Sequence, residues 1–255
     1  MMAAGLGLGI NKRFNGEINN MKKRFLPGFI LILSISLFGC NANTDVDSAI
    51  TSIIPLKFEL VTIEQDIQKL KANEIKEILK EVLLPHGKVF IYTKKNDQEY
   101  LYGGFSTEQS LYNLGKIGNL IYLDVTSITI HQEFNDTPAV RIDGAHGANY
   151  PQSNYFLFES SFPKKILTVD GHATEFDLDQ DGTVEIISSI GTTTVTSIYK
   201  LTGEHFLVAD LNKSLDALSV IFKNEDNPFF LAYFKDKTTK EFKFTEDGLK
   251  LVESQ

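Results

Sequence analysis

The sequence predicts a mainly β protein built of short antiparallel strands. Two observations carry this. From residue 88 onward, runs of β-branched and aromatic residues recur at short intervals, split by Gly, Asn and Asp. The same stretch holds no long segment of helical periodicity, which disfavours a doubly wound α/β fold. The chain has 19 Phe and 9 Tyr and no Trp among 255 residues, enough aromatic surface for a packed core rather than disorder. Such strand spacing fits an all-β sandwich, barrel or propeller.

The first forty residues have a different character. Lys22, Lys23 and Arg24 follow Met21, an apolar run extends from Phe25 to Phe38, and Leu37-Phe38-Gly39-Cys40 closes it. A basic start, a short apolar middle and a small residue before a cut is the order of a secretory signal. A run of this length is short for a spanning helix, which needs roughly 20 residues. Cys40 is the single cysteine of the chain. The motif resembles the lipobox of bacterial lipoproteins. That resemblance implies a diacylglyceryl group on Cys40, cleavage before it, and a protein held at the extracytoplasmic face of the cell membrane. Residues 1–20 then read as an upstream extension, 21–39 as the signal peptide, 40–55 as a lipidated tether and 56–255 as one mostly-β domain.

Five of the 25 basic residues and one of the 33 acidic residues precede Cys40, so the remaining chain carries 20 and 32, a formal charge of −12. Such a chain lacks the Lys/Arg clusters that neutralise phosphates, so no nucleic-acid partner is expected. With Cys40 lipidated no thiol is left, and any metal must sit on oxygen or imidazole.

Within the domain, Leu56–Val61 reads as a first strand. Ile63, Ile67, Leu70, Ile75, Ile78, Leu79 and Val82 then follow at spacings of three and four, which predicts an amphipathic helix over about 63–84 packed on the sheet. Thr62 and Gln65 fit a capping box, and Pro85 with Gly87 a stop. Asn96-Asp97 marks a hairpin between Val89–Ile91 and Tyr100–Tyr102. Further strands are expected at Leu120–Ile130, Ala139–Ile142, Tyr155–Phe158, Ile166–Val169, Val184–Ile190, Val195–Leu201, His205–Val208, Leu218–Phe222, Phe229–Phe234 and Glu241–Phe244.

The clearest chemical motif is Asp177-Leu178-Asp179-Gln180-Asp181-Gly182-Thr183-Val184-Glu185. Three carboxylates alternate, a glycine permits a sharp turn, and the Thr183 carbonyl and the Glu185 carboxylate stand ready to complete an oxygen shell of the kind Ca²⁺ takes. An EF-hand is excluded, because its twelfth position, Ser188, lacks the bidentate glutamate. The motif resembles the calcium blade loop of VCBS and FG-GAP β-propeller repeats. That resemblance implies blade-like sheets in a partial or irregular propeller-like arrangement, with one structural Ca²⁺ held by Asp177, Asp179, Asp181, Thr183 and Glu185. Asp210-Leu211-Asn212-Lys213-Ser214 echoes the pattern 33 residues on, without the glycine or the glutamate, and is expected to hold no metal.

A second candidate is the glycine-rich Asp143–Pro151 segment, with Asp143, Gly144, His146, Gly147 and Asn149 as a possible binding loop. It has no P-loop or dinucleotide fingerprint, the five histidines show no metal-ligand spacing, and no nucleophile elbow is present. The expected function is therefore non-enzymatic: an envelope lipoprotein that binds or scaffolds an extracytoplasmic protein or glycan. The rival expectation is an envelope hydrolase with its site near Asp143–Asn149.

Overall fold

The computed structural model describes residues 53–134, 137–159, 162–223 and 227–252. The signal segment, Cys40 and the first part of the tether lie outside them. Ala49–Gln255 forms one unit. It opens with three two-residue strands, β1 (Ile53–Ile54), β2 (Glu59–Leu60) and β3 (Gln68–Lys69). Four antiparallel meanders follow. Sheet I contains β4 (Ile75–Leu84), β5 (Gly87–Lys94), β6 (Asp97–Ser106) and β7 (Leu111–Asn119). Sheet II contains β8 (Ser127–Phe134), β9 (Thr137–Gly147), β10 (Tyr150–Glu159) and β11 (Phe162–Asp170). Sheet III contains β12 (His172–Phe176), β13 (Glu185–Ile190), β14 (Val195–Thr202) and β15 (His205–Asp210). After the one-turn helix α1 (Leu211–Leu215), sheet IV contains β16 (Ser219–Lys223), β17 (Phe229–Tyr233), β18 (Thr239–Thr245) and β19 (Gly248–Val252).

Consecutive sheets pack face to face, and the period-2 alternation of strands explains how one strand serves two cores. Val89 and Ile91 face sheet II, where they meet Val140, Ile142 and Phe156. Phe90 and Tyr92, between and beside them, point to the other side and cluster with Tyr102 and Leu70. Tyr155 joins Leu167, Ile186 and Phe206 between sheets II and III. Ile187, next to Ile186, turns instead to the core shared by sheets III and IV, with Ile198, Val220, Phe230 and Phe242. Strands buried on both faces read as near-continuous apolar runs, as in Val89–Tyr92.

The opening segment is a strap along the last strand of every sheet. β1 pairs with β19, β2 with β15 and β3 with β7, all antiparallel. At sheet II the Gln65 side chain replaces a strand: its Nε2 donates to the Lys165 carbonyl at 2.6 Å and its Oε1 accepts from the Lys165 N–H at 3.2 Å. The strap also sends apolar side chains into each core: Ile54, Leu56 and Phe58 between III and IV, Val61 between II and III, Ile67 between I and II, and Leu70 on the outer face of I.

Several expectations are corrected. The helix over 63–84 is not formed; that span contains β3, a 3₁₀ turn (Ala72–Glu74) and β4. β4 is bulged twice, at Lys76 and at Leu79, where the pairing with β5 skips a residue. Each bulge adds one residue and resets the alternation. The partly buried apolar residues Ile75, Leu79, Val82 and Leu84 therefore stand four, three and two apart, a spacing that imitates a helical stripe, although Ile75 packs with Phe90 and Tyr92 on one side of sheet I and Leu79 and Leu84 against the core of sheets I and II on the other. Pro85 and His86 are a hairpin turn, with Leu84 opposite Gly87, rather than a helix stop. Leu120–Val125 is 3₁₀ rather than strand. The segment read as tether already contains β1. The echo at Asp210 is a helix N-cap: Asp210 Oδ1 accepts from the Lys213 N–H at 2.9 Å, and the residue stands between sheets III and IV, not between the strands of one sheet.

Candidate functional site: the acidic loop of sheet III

Residues 177–184 connect β12 to β13, and the hairpin closes on the Phe176–Glu185 pair. Short acceptor side chains fold the loop on itself. Asp177 Oδ2 accepts from the Gly182 N–H at 3.1 Å, Asp179 Oδ1 from the Asp181 N–H at 3.4 Å, and Asp181 Oδ1 from the Thr183 N–H at 2.6 Å. Gln180 and Gly182 sit at φ +61° and +88°, the left-handed region that glycine enters without cost. Leu178 points the opposite way from its acidic neighbours, into the core of sheets III and IV. Its N–H donates to Glu185 Oε2 at 3.0 Å.

The loop thus gathers Asp177, Asp179 and Glu185, with one ligand atom from each lying within 4.8 Å of the others. Glu185 is 0% exposed. Asp177 Oδ1, Asp179 Oδ2 and Glu185 Oε1 are buried and accept no hydrogen bond. Burial, reinforced by the charges of Asp179 and Asp181 and opposed by the Leu178 N–H, pushes the Glu185 carboxyl up to about 7. Asp181 stands apart: it is fully exposed at the rim, and its bond to the Thr183 N–H holds its carboxyl below the ordinary value. Of the five residues the motif singles out, three converge, while Asp181 and Thr183 line the outside of the turn. The sequence reading missed Lys200 on β14, whose Nζ is 3.8 Å from Asp179 Oδ2. The strand register, with Ile186 opposite Tyr199, brings Lys200 beside Glu185.

The glycine-rich segment is resolved differently. Asp143, Gly144, His146 and Gly147 belong to β9, and Asn149 lies in the two-residue turn to β10. A Cβ on Gly144 would lie 1.9 Å from the Ile117 carbonyl oxygen, so this glycine serves the close contact between sheets I and II. His146 faces Gln152, its Nε2 3.4 Å from Oε1, with its ring beside Tyr150. Asp143, Gly144 and Gly147 line a cleft of about 470 Å³ with Tyr122, Arg141 and Ser153, whereas Asn149 lines a neighbouring one.

The polar groups under that cleft bond to one another. Arg141 donates through Nε to Asp143 at 2.6 Å, through Nη1 to Glu175 at 3.1 Å and through Nη2 to the Ala173 carbonyl at 3.1 Å. Ser127 and Ser153 donate to the same Asp143, and Tyr155 and His131 face Glu175. This ties sheet II to sheet III. Among the described residues no hydrogen bond joins either serine to a histidine. Periodicity gave no sign of this network, because its members are distant in sequence.

No known family, curated protein or solved structure matches the chain. Among the described residues no helix is long and apolar enough to cross a membrane.

Proposed function

We propose that this chain is a non-enzymatic, lipid-anchored extracytoplasmic protein. Its β domain binds or scaffolds an envelope protein or glycan, and its acidic loop holds one Ca²⁺. The observation that carries the calcium reading is the set of buried carboxylate oxygens on Asp177, Asp179 and Glu185, gathered within ion-coordinating reach and lacking hydrogen-bond donors. An orphaned buried carboxylate is costly, and a divalent cation removes that cost. Oxygen-only donors suit a hard cation. Asp177, Asp179 and Glu185 would hold the ion, and Asp181 and Thr183 at the rim would supply remaining oxygens directly or through water. The location of the loop, between the first two strands of a four-stranded antiparallel sheet, supports the likeness to propeller blade loops. The row of four such sheets supports a partial, propeller-like arrangement.

Calcium that binds the folded state alone stabilises it by about 2.7 kcal/mol at 100 times Kd. Melting temperature should rise with millimolar Ca²⁺ and fall with chelator. Asp179→Ala should remove the response, and Asp210→Ala, at the helix cap, should keep it. An unchanged melting curve for the wild-type protein across several millimolar Ca²⁺ would count against the reading.

The anchor rests on the Lys22–Cys40 pattern. A single acyl chain binds membranes only marginally, at about 10⁴ M⁻¹, so the doubly acylated cysteine supplies the attachment. Cys40→Ser should block lipid labelling and release the protein from membranes; retained labelling would refute the assignment.

A further inference from the structure

Lys200, on β14 beside the acidic loop, is left unused by the calcium reading. Its ammonium approaches Asp179 Oδ2, one of the buried oxygens without a hydrogen-bond donor, at 3.8 Å. That distance is too long for a hydrogen bond and short enough for an ion pair. The Lys200 side chain is 27% exposed and the Asp179 side chain 4%. The lysine therefore lays its stem on the sheet and keeps a path to water. Three carboxylates share one centre, and among the described residues this ammonium is the cation that reaches them. A divalent ion at the same centre would meet the lysine as a like charge across a few ångströms, in surroundings that screen poorly.

We propose that Lys200 is a built-in competitor for the cation site. Its ammonium partly neutralises the carboxylates in the metal-free protein and withdraws to solvent when Ca²⁺ enters, so it weakens the site. The proposal rests on the calcium reading of the loop and deepens it. The loop is then a site that empties and refills with free calcium, not a permanent staple.

The test is calorimetric titration of Ca²⁺ into the full chain in detergent at low ionic strength, for the wild type, Lys200→Gln, Lys200→Met, Lys200→Arg and Asp179→Ala. Both neutral variants should bind Ca²⁺ on the order of ten-fold more tightly than wild type, from removal of a nearby like charge. The arginine variant, which keeps the charge, should stay near wild type, and Asp179→Ala should lose binding. Without metal, the neutral variants should melt lower than wild type, and the gap between their calcium-loaded and metal-free melting temperatures should widen. Equal affinity in wild type and both neutral variants would overturn the role of Lys200 and leave the calcium reading standing. Absence of binding in wild type and neutral variants alike would overturn the calcium reading, and this proposal with it.

Discussion

Glu185 shows how one side chain sets a pH dependence. In the metal-free protein its carboxyl is pushed up to about 7 from an ordinary 4.5, first by burial. A carboxyl raised by folding binds more protons in the folded state than in the unfolded one. Below about pH 4.5 both states are protonated and nothing is lost. As pH rises from there toward 7 only the unfolded chain ionises, so stability falls, by about 3 kcal/mol in total. With chelator present, unfolding free energy should therefore decline between pH 4.5 and 7, and Glu185→Gln should flatten that decline. A profile identical in the two proteins would contradict this account. Gly144 makes a second point at the same scale. The sequence marked it as special, yet the reason lay in a partner strand 27 positions away, the Ile117 carbonyl, which no local pattern reveals. Gly144→Ala should destabilise by about 3 kcal/mol through overpacking of the contact between sheets I and II, read as a lowered denaturation midpoint with an unchanged slope.

Hairpins and turns were legible as elements because their chemistry is local. The hairpin marked by Asn96-Asp97 turns one residue earlier, at Lys95-Asn96, with Asp97 opening β6, and the strands from Val195 to Phe244 fall where composition and turn residues put them. The acidic loop was legible for the same reason: its hydrogen bonds all close within five residues or fewer, apart from the Leu178–Glu185 pair. β4 was not, because a bulge depends on the partner strand and leaves a spacing of three and four that a helix also produces. The two readings separate on neighbouring residues. In a helix Ile78 and Leu79 share the apolar face; in the bulged strand Ile78 is 43% exposed while Leu79 packs against the core of sheets I and II. Ile78→Lys should change stability by no more than about 0.5 kcal/mol, as exposed substitutions do. Leu79→Lys should cost about 2–4 kcal/mol, from lost burial and a charge forced toward the core. Comparable losses at both positions in urea denaturation would favour the helix.

At the scale of the whole molecule, the strap is what the sequence concealed. Two-residue strands and a glutamine standing in for a strand carry no periodicity, and their partners lie between 43 and 197 residues away. Yet this segment reaches the last strand of all four sheets and an apolar side chain of it enters every core. Its polar anchor is Asp66, whose Oδ1 lies 2.6 Å from Lys165 Nζ, and Lys165 is buried. Asp66→Ala leaves that ammonium without its carboxylate, a loss of about 1–3 kcal/mol. It leaves the inner strands untouched, since Asp66 takes no part in their ladders. The expected result is local: in amide exchange, the Val61 N–H bonded to Phe206 and the Leu70 N–H bonded to Leu111 should lose protection, while Ile142 and Ile187 in the middle of sheets II and III keep theirs. Loss of protection spread evenly through all four sheets would mean instead that the stack and its strap open only together, and that the strap belongs to the cooperative core rather than clasping it from outside.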